Sequence, residues 1–262
     1  MSVIIAISNQ KGGVSKTTTA YNLGACMALK NSRKVLLVDI DPQANLSEYL
    51  GYEFDGKPTM TQLIMTVCSG GVIPSADVIS AIRHNETADV DYIPSDINLA
   101  SIESFMTTAI SRETILRRIL SDDVTGNYDY VIIDCLPSLS TLLINALAAA
   151  DKVIIPVQTQ KFSVDGLQAL EALLSQVKTT INPELTLLGI LPTMTERTTV
   201  SRNTLDMLSE KYGDKLFKSS VSKSVEAAKS TETRTPLCLT KGKLSAEYEA
   251  LTQEILAGEE KI

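Results

Sequence analysis

The sequence predicts an α/β protein with a doubly wound, mostly parallel β-sheet that carries helices on both faces. Short apolar runs alternate with longer stretches of helical periodicity along the 262-residue chain. Several of these runs are apolar at consecutive positions, as expected for strands that are buried on both faces of a parallel sheet. Glycine-rich or acidic segments end three of the runs, and ligands bind at the carboxyl ends of strands in such sheets.

Six apolar segments are predicted as strands, and the stretches between them as helices or loops. The stretch 99–120 has the period of one long amphipathic helix, and a later helix is expected to stop at Gly213. The segment 51–88 shows no clear period and is expected to hold loops and short helices. The predicted strands are 3–8, 34–41, 90–94, 128–135, 152–159 and 185–193. Further helices are predicted around Ala20, Leu23 and Met27 and over 138–151 and 163–178.

Composition narrows the possible classes of protein. Hydrophobic residues make up 44% of the chain and charged residues 21%, which is ordinary for a globular protein. Residues 1–262 are expected to form a single domain. The chain lacks both a signal peptide and an apolar run of roughly 20 residues, so a cytoplasmic location is expected. The four cysteines are not spaced as in a metal site. The chain has a single histidine, His84, which argues against a multi-histidine metal site. His84 is expected to lie in a loop.

Charge is distributed unevenly along the chain. The formal net charge is −7, which by itself argues against binding to nucleic acid. Residues 178–243, however, contain eleven Lys or Arg against seven Asp or Glu. This local excess fits either a solvated helical surface or a basic binding face, and composition leaves both interpretations open.

The most informative segment is "SNQKGGVSKTTTAYNL" at 8–23, directly after the first predicted strand. It resembles a phosphate-binding loop, although Gln10 and Ser15 occupy the positions where the usual pattern has glycine. Gly12 and Gly13 would let backbone N–H groups close around phosphate oxygens, and the following helix would add its N-terminal donors.

Acidic residues at the ends of two other predicted strands complete this site. Lys16 would neutralise the β- and γ-phosphates. The Thr17 hydroxyl would coordinate Mg²⁺, and Asp134 would hold the ion either directly or through water. Asp41 can orient or deprotonate an attacking water. Asp39, two residues earlier on the same face of its strand, is assigned to the outer shell of the metal.

Lys11 raises a separate question, because Lys16 already serves the nucleotide of its own loop. Lys11 could be a solvated surface lysine. Alternatively, it could reach the nucleotide of a second subunit, where a charge supplied in trans can raise the rate of phosphoryl transfer about 10³–10⁵-fold. The second interpretation predicts that nucleotide binding and dimerisation are coupled.

Four segments together resemble a known family. "KGGVSKTT", "LLVDIDPQANLS", "YDYVIIDCLPSLSTLLINALAAAD" and "VIIPVQTQKFSVDGL" are similar to the ParA/Soj branch of the ParA–MinD superfamily, the DNA-partition ATPases with a deviant Walker A motif. The resemblance covers about residues 2–256 and is weak over 51–110. It implies a P-loop NTPase fold without the N-terminal helix-turn-helix extension of larger members.

The resemblance also implies a function. It implies slow, Mg²⁺-dependent ATP hydrolysis, an ATP-bound sandwich homodimer, and non-specific binding to duplex DNA. A centromere-binding, ParB-like partner would stimulate hydrolysis during plasmid or chromosome partition, and the protein would associate with the nucleoid and not stably with a membrane. Lys11 would be the intermolecular lysine, Asp41 the hydrolytic carboxylate and Asp134 the Walker B residue. The implied nucleotide contacts are Lys11, Gly12, Gly13, Val14, Ser15, Lys16, Thr17, Thr18 and Met194, with Ser222 and Ser224 near the adenine.

The sequence departs from the family pattern at several positions. Ser15 replaces a usual glycine, and we expect it to weaken nucleotide binding or slow turnover relative to Ser15→Gly. Ser222 and Ser224 stand where the family commonly has the proline and asparagine that flank the adenine. Glu226 replaces an arginine linked to DNA binding in relatives, so the DNA surface is expected to be altered or moved. The candidate DNA contacts are Arg197, Arg202, Lys211, Lys215, Lys218 and Lys223, with Lys229.

Three other functions use the same core. A MinD-like, membrane-associated positioning ATPase would require a basic amphipathic C-terminal helix, whereas the end of this chain is acidic. An iron-protein-like electron donor or a metallocentre-insertion ATPase would require cysteines at a dimer axis, and the four cysteines of this chain do not match that arrangement. A nucleotide-gated DNA-binding scaffold with negligible hydrolysis would be compatible with Ser15.

Overall fold

The computed structural model describes residues 2–160 and 167–259. Within these ranges seven strands form one sheet. The strands are β1 (Val3–Ile7), β2 (Val35–Asp39), β3 (Arg83–Asn85), β4 (Val90–Ile93), β5 (Tyr130–Asp134), β6 (Lys152–Gln158) and β7 (Thr186–Thr193). Their order in the sheet is β3-β4-β2-β5-β1-β6-β7. All neighbouring strands pair in parallel except the edge strand β3, which is antiparallel to β4. The six predicted strands are confirmed.

Helices connect the parallel strands, as the alternating pattern predicts. The helix that contains Leu205 and Leu208 ends before Gly213, as expected, and the predicted helix over 163–178 lies partly outside the described residues. The helices are α1 (Lys16–Asn31), α2 (Asn45–Tyr49), α3 (Met60–Cys68), α4 (Ser75–Ser80), α5 (Leu99–Met106), α6 (Ile115–Ile119), α7 (Asp122–Thr125), α8 (Thr141–Ala149), α9 (Leu167–Thr180), α10 (Thr199–Tyr212), α11 (Val225–Thr233) and α12 (Lys243–Glu259).

The hydrophobic core lies in two layers, one on each face of the sheet. Successive side chains of a strand point to opposite faces, so the residues of β1 divide between the layers. Ile5 and Ile7 pack with α1 and α12, whereas Ala6 packs with α3, α5 and α8. Because both faces are covered, the central strands read as continuous apolar runs.

The predicted single helix over 99–120 is wrong, because the chain leaves the helical path between α5 and α6. Thr107 and Thr108 donate their hydroxyl groups to backbone carbonyls three residues earlier, which competes with continuation of the helix. Ser111 then adopts a left-handed conformation with φ 52°. The amphipathic pattern persists across the break because α5 and α6 both pack on the same hydrophobic layer.

Strand β3 is absent from the sequence-based prediction. Its three residues are too few to show the alternation that identifies a strand. The expectation that His84 lies in a loop is therefore wrong, since this residue belongs to β3. Its Nδ1 lies 2.8 Å from Asp91 Oδ1 on the neighbouring strand, which helps to hold the hairpin at the sheet edge.

Candidate nucleotide-binding site

The predicted phosphate and metal residues meet at the carboxyl ends of β1, β2 and β5. The strand register pairs Asp134 with both Asp39 on β2 and Ile7 on β1, so the loop after β1 lies beside the two carboxylates. A cleft of about 490 Å³ opens at this edge. The predicted residues among its lining are Gly12, Gly13, Ser15, Lys16, Thr17, Thr18, Asp41 and Met194.

The loop between β1 and α1 adopts a conformation suited to an anion. Gly13 and Ser15 have φ angles of 71° and 70°, in the left-handed region. A Cβ atom added to Gly12 or Gly13 would meet no atom within 4 Å, so packing inside the protein does not require glycine at either position. The space beside them opens into the cleft, where a phosphate could approach the backbone closely.

Lys16 lies inside this loop. The residue is only 7% exposed, and its Nζ donates a hydrogen bond to the Lys11 carbonyl at 3.2 Å. Burial lowers the pKa of Lys16, and the charges of Asp134 and Asp41 oppose that shift. The ammonium group is thus held at the cleft wall by a backbone oxygen, which a phosphate could replace.

Thr17 and Asp134 form the candidate metal-binding pair. Thr17 Oγ1 donates to Asp134 Oδ2 at 2.7 Å, whereas the buried Asp134 Oδ1 has no hydrogen-bond partner. Burial raises the pKa of Asp134 well above its usual range, and the charge of Asp39 raises it further. An unpartnered, buried carboxylate oxygen is costly, and a bound cation would satisfy it.

The donor set suits magnesium better than a metal bound entirely by protein. Residues 2–160 and 167–259 contain no group of three or more His, Cys, Asp or Glu side chains placed to hold an ion. Magnesium usually takes only one or two protein ligands and completes its octahedron with phosphate and water oxygens. Thr17 and Asp134 therefore fit a nucleotide-bound Mg²⁺.

Asp39 and Asp41 have different surroundings, although both are buried. The Asp39 oxygens accept hydrogen bonds from Asp41 N at 3.0 Å, from Ser47 N at 2.9 Å and from Ser47 Oγ at 2.7 Å. Burial raises the pKa of Asp39 to about 6. Asp41 lines the cleft and accepts from Gln43 N through Oδ1. Asp39 thus shapes the loop that presents Asp41, and its place in a metal's outer shell stays a prediction.

The side chain of Lys11 is exposed and does not line the cleft of its own chain. Its backbone N–H donates to Asn9 Oδ1 at 2.9 Å, and Asn9 Nδ2 donates to the Pro156 carbonyl at 2.6 Å. Asn9 therefore anchors the Lys11 peptide to β6, while the exposed Lys11 side chain is not part of the cleft wall. Sequence reasoning missed this role of Asn9, although the residue directly precedes the loop.

The far wall of the cleft differs from the expectation. Met194 lines it, with φ 50°, but Ser222 and Ser224 do not. Ser222 Oγ instead lies 2.5 Å from both Glu247 Oε1 and Lys243 Nζ. Ser224 Oγ accepts a hydrogen bond from the backbone of α11 at its N-terminus. The structure therefore does not bring these two serines to the cleft.

Parts of α2 and α11 occupy that wall, and sequence reasoning missed them. Glu48 and Tyr49 of α2 and Thr231 of α11 line the cleft. The hydroxyl oxygens of Tyr49 and Ser230 lie 2.5 Å apart, which ties the two helices together. No local motif marks these residues, because the contact joins segments about 180 positions apart in the sequence.

The six candidate DNA contacts are all exposed, but they do not form one patch. Arg197 lies just before α10 and Arg202 in its first turn, whereas Lys211 and Lys215 lie at or beyond its end. A 14-residue helix spans about 21 Å, so the two groups are well separated. Lys211 pairs with Glu171 at 2.8 Å and Lys223 with Glu196 at 3.2 Å.

The carboxylate of Glu226 is not a free surface charge, because it makes a hydrogen bond within the protein. Its Oε2 accepts a hydrogen bond from the backbone N–H of Leu244, in the first turn of α12. A carboxylate at a helix N-terminus is stabilised by the helix dipole. Glu226 therefore has a structural role in this chain, consistent with a DNA surface located elsewhere.

The C-terminal helix α12 belongs to the core. Leu244, Tyr248, Leu251 and Ile255 are buried against α1 and the sheet. Within the described ranges, every helix is too short or too polar to traverse a bilayer.

Comparisons with known proteins agree with this geometry. A family model described as an AAA domain matches residues 2–187. The sporulation initiation inhibitor protein Soj of Bacillus subtilis is 41% identical over 240 residues, which are 91% of each chain. The chromosome partitioning protein ParA of Caulobacter vibrioides is 35% identical and covers 98% of this chain and 94% of its own.

A solved structure supports the same assignment. Cobyrinic acid a,c-diamide synthase from Mycobacterium smegmatis, with a bound ATP analog and magnesium, superposes with a TM-score of 0.80. The two sequences are 34% identical, and the superposition covers 99% of this chain and 96% of the synthase. The fold is that of the P-loop NTPases. The chain belongs to the AAA domain family and, within it, to the Soj/ParA-type partition ATPases.

Proposed function

We propose that this chain binds ATP and Mg²⁺ in the cleft at the carboxyl edge of the sheet, that two ATP-bound copies form a dimer, and that this dimer acts in DNA partition. The observation that carries the proposal is the unpartnered Asp134 Oδ1 beside the Thr17 hydroxyl and the buried Lys16. A similar protein from Mycobacterium smegmatis holds an ATP analog and magnesium on the same fold, which supports this ligand choice.

Each residue has a defined part in ATP hydrolysis under this proposal. Backbone N–H groups of the loop and the Lys16 ammonium hold the β- and γ-phosphates. Thr17 and Asp134 would hold Mg²⁺, and the bound ion would neutralise the charge that develops on the phosphate oxygens. Asp41, fixed by its hydrogen bond with Gln43 N, orients the attacking water at the γ-phosphate.

Lys11 acts on the nucleotide of a second copy of the chain. Its side chain is exposed and lies outside the cleft of its own protomer, while Asn9 fixes its backbone. A lysine placed in this way can contact a phosphate chain across a two-fold interface. ATP then becomes part of the dimer interface, so that dimerisation depends on nucleotide.

The ATP-bound dimer binds duplex DNA non-specifically, and a centromere-binding, ParB-like partner stimulates hydrolysis and release. Cycles of this kind on the nucleoid would move a plasmid or chromosome origin. A gel-shift assay with long duplex DNA, ATP and Mg²⁺ at low salt tests the DNA step. We expect a shift that requires ATP; no shift at micromolar protein would count against DNA binding.

A further inference from the structure

Gln158, the last residue of β6, contacts the phosphate loop but is not among the residues that line the cleft. The residue is 8% exposed, and its Nε2 donates to the Gly13 carbonyl at 2.5 Å. The same nitrogen lies 3.1 Å from Met194 Sδ. Gly13 and Met194 line the cleft, whereas Gln158 does not. One amide group therefore joins the loop to the opposite wall from outside the cleft.

Thr193 makes a second, similar contact. It is fully buried at the end of β7 and is the register partner of Gln158. Its Oγ1 donates to the Val14 carbonyl at 3.1 Å. Two consecutive carbonyl groups of the loop, those of Gly13 and Val14, are thus held by the ends of two adjacent strands.

The direction of these carbonyl groups fixes the direction of the following N–H groups. In a trans peptide the C=O and the next N–H point to opposite sides, and the described residues contain no cis peptide bond. A Gly13 carbonyl held away from the cleft therefore turns the Val14 N–H toward it. The Thr193 contact does the same for the Ser15 N–H.

A phosphate-binding loop needs this constraint because glycine does not supply it. Gly13 rotates easily for lack of a Cβ atom, and a rotated peptide would present its carbonyl oxygen to the phosphates. Lone pairs that face a phosphate chain repel it, whereas N–H groups attract it. An external donor on the Gly13 carbonyl favours the arrangement that binds the anion.

We propose that Gln158 is a positioning residue that aims the Val14 N–H at the phosphate chain of the nucleotide. The proposal rests on the proposed placement of ATP in this cleft. Because the N–H group contacts the phosphates both before and during reaction, its loss should weaken binding and spare the chemical step. Thr193 has the same effect on the Ser15 N–H.

Steady-state ATPase kinetics of Gln158→Met and Gln158→Glu test the proposal. Gln158→Met removes the donor at similar length, and we expect KM for ATP to rise about tenfold with kcat within twofold of wild type. Gln158→Glu places an acceptor against the Gly13 carbonyl, so its KM should rise further. Gln176→Glu, which makes the same change on the exposed face of α9, is the matched control and should match wild type.

Urea unfolding of the nucleotide-free proteins separates positioning from general damage. The proposal requires Gln158→Met to unfold cooperatively in urea, with a midpoint lowered by no more than the loss of one buried hydrogen bond explains. Its affinity for ADP, measured by calorimetry on the folded protein, should fall about tenfold. If Gln158→Glu does not fold, Gln158→Met decides the question. A folded Gln158→Met with wild-type KM and ADP affinity would overturn the inference, and so would a fall in kcat at unchanged KM. A wild-type protein that binds no nucleotide would instead overturn the proposed site.

Discussion

Ser15 holds a backbone conformation that favours glycine. Its φ of 70° lies in the left-handed region, which costs an ordinary residue roughly 1–2 kcal/mol. Ser15 precedes α1, yet its side chain makes no capping hydrogen bond with the helix. Strain without a compensating contact is typical of functional loops, and here it falls on the wall of the nucleotide cleft.

Replacing Ser15 with glycine should therefore improve both stability and binding. We expect Ser15→Gly to raise the free energy of unfolding by up to about 1 kcal/mol, because the left-handed strain is relieved. ATP affinity should rise as well, since the loop no longer carries a Cβ atom beside the phosphates. Urea unfolding and calorimetry measure the two effects.

Ser32→Gly is the matched control for Ser15→Gly. Ser32 has φ 53° at the opposite end of α1, outside the nucleotide cleft. The Ser32→Gly variant should be stabilised by the same relief of left-handed strain, and its affinity for ATP should equal that of wild type. If Ser15→Gly binds ATP no better than Ser32→Gly, Ser15 does not limit nucleotide binding.

Asp41 provides the most direct test of the catalytic assignment. Asparagine at this position keeps an oxygen to accept from Gln43 N, so the loop should keep its shape. We expect Asp41→Asn to lower kcat by about 10²–10⁴-fold, because a carboxylate that orients or deprotonates water is lost. ATP affinity should change little. Single-turnover hydrolysis at saturating ATP measures the effect, and a kcat within tenfold of wild type would contradict the assignment.

Strands β2 and β5 together place two buried carboxylates side by side. Their register pairs Asp39 with Asp134, and burial raises the pKa of both groups. A carboxyl group with a raised pKa in the folded state binds its proton more tightly there than in the unfolded chain. Its contribution to stability is therefore greatest below about pH 4 and is lost as the pH rises through about 6.

Because the buried, negatively charged Asp39 and Asp134 side chains destabilise each other, removing the charge at the candidate metal site should stabilise the protein. In EDTA and without nucleotide, Asp134→Asn should raise the free energy of unfolding by about 1–3 kcal/mol at pH 8. The gain should shrink toward pH 5, where the wild-type carboxyl groups regain protons. Urea unfolding at both pH values measures it, with Asp206→Asn on the exposed face of α10 as control. A gain that does not depend on pH would contradict this explanation.

The sequence predicts the long elements of this fold better than the short ones. Six strands are readable because burial on both faces makes them continuously apolar. The break between α5 and α6 depends on hydrogen bonds from the hydroxyl groups of Thr107 and Thr108. Hydrophobic periodicity contains no information about these hydrogen bonds. Strand β3 is fixed by pairing with β4 and has too few residues for any pattern.

The same contrast holds within the site. Gly12, Gly13, Lys16, Thr17 and Asp41 belong to local motifs, and the structure brings them to one cleft, as motif reasoning predicts. Their roles toward a nucleotide stay predictions. Ser222 and Ser224 are assigned by analogy alone, and hydrogen bonds with α11 and α12 keep them elsewhere. Thr231 could be found only from the tertiary contact between α2 and α11.

At the scale of the whole molecule, four of the candidate DNA contacts lie at the two ends of α10. Arg197 and Arg202 lie near the carboxyl edge of the sheet, where the nucleotide cleft opens, and neither has an ion-pair partner within 2–160 and 167–259. Lys211 lies at the far end and pairs with Glu171 at 2.8 Å. If the protein binds DNA as proposed, we expect Arg197 and Arg202 to contribute more to the contact than Lys211.

A salt titration distinguishes the two groups. We expect Arg197→Ala with Arg202→Ala to weaken binding of the ATP-bound protein to duplex DNA and to reduce the slope of log K against log salt by about 2. Lys211→Ala, the control, should change the slope by less than one, because this lysine is already paired. Fluorescence anisotropy with labelled duplex measures both. Equal slopes for wild type and the double variant would place the DNA surface elsewhere.

Sedimentation velocity with a non-hydrolysable ATP analogue and Mg²⁺ tests the central claim most directly, by comparing wild type with Lys11→Ala. We predict that the wild-type chain sediments as a dimer only with the analogue, and that Lys11→Ala stays monomeric while it still binds the analogue by calorimetry. Lys34→Ala, which removes an exposed lysine at the opposite edge of the sheet, should dimerise like wild type. A wild-type chain that remains monomeric with the analogue, or a Lys11→Ala chain that dimerises normally, would contradict the account.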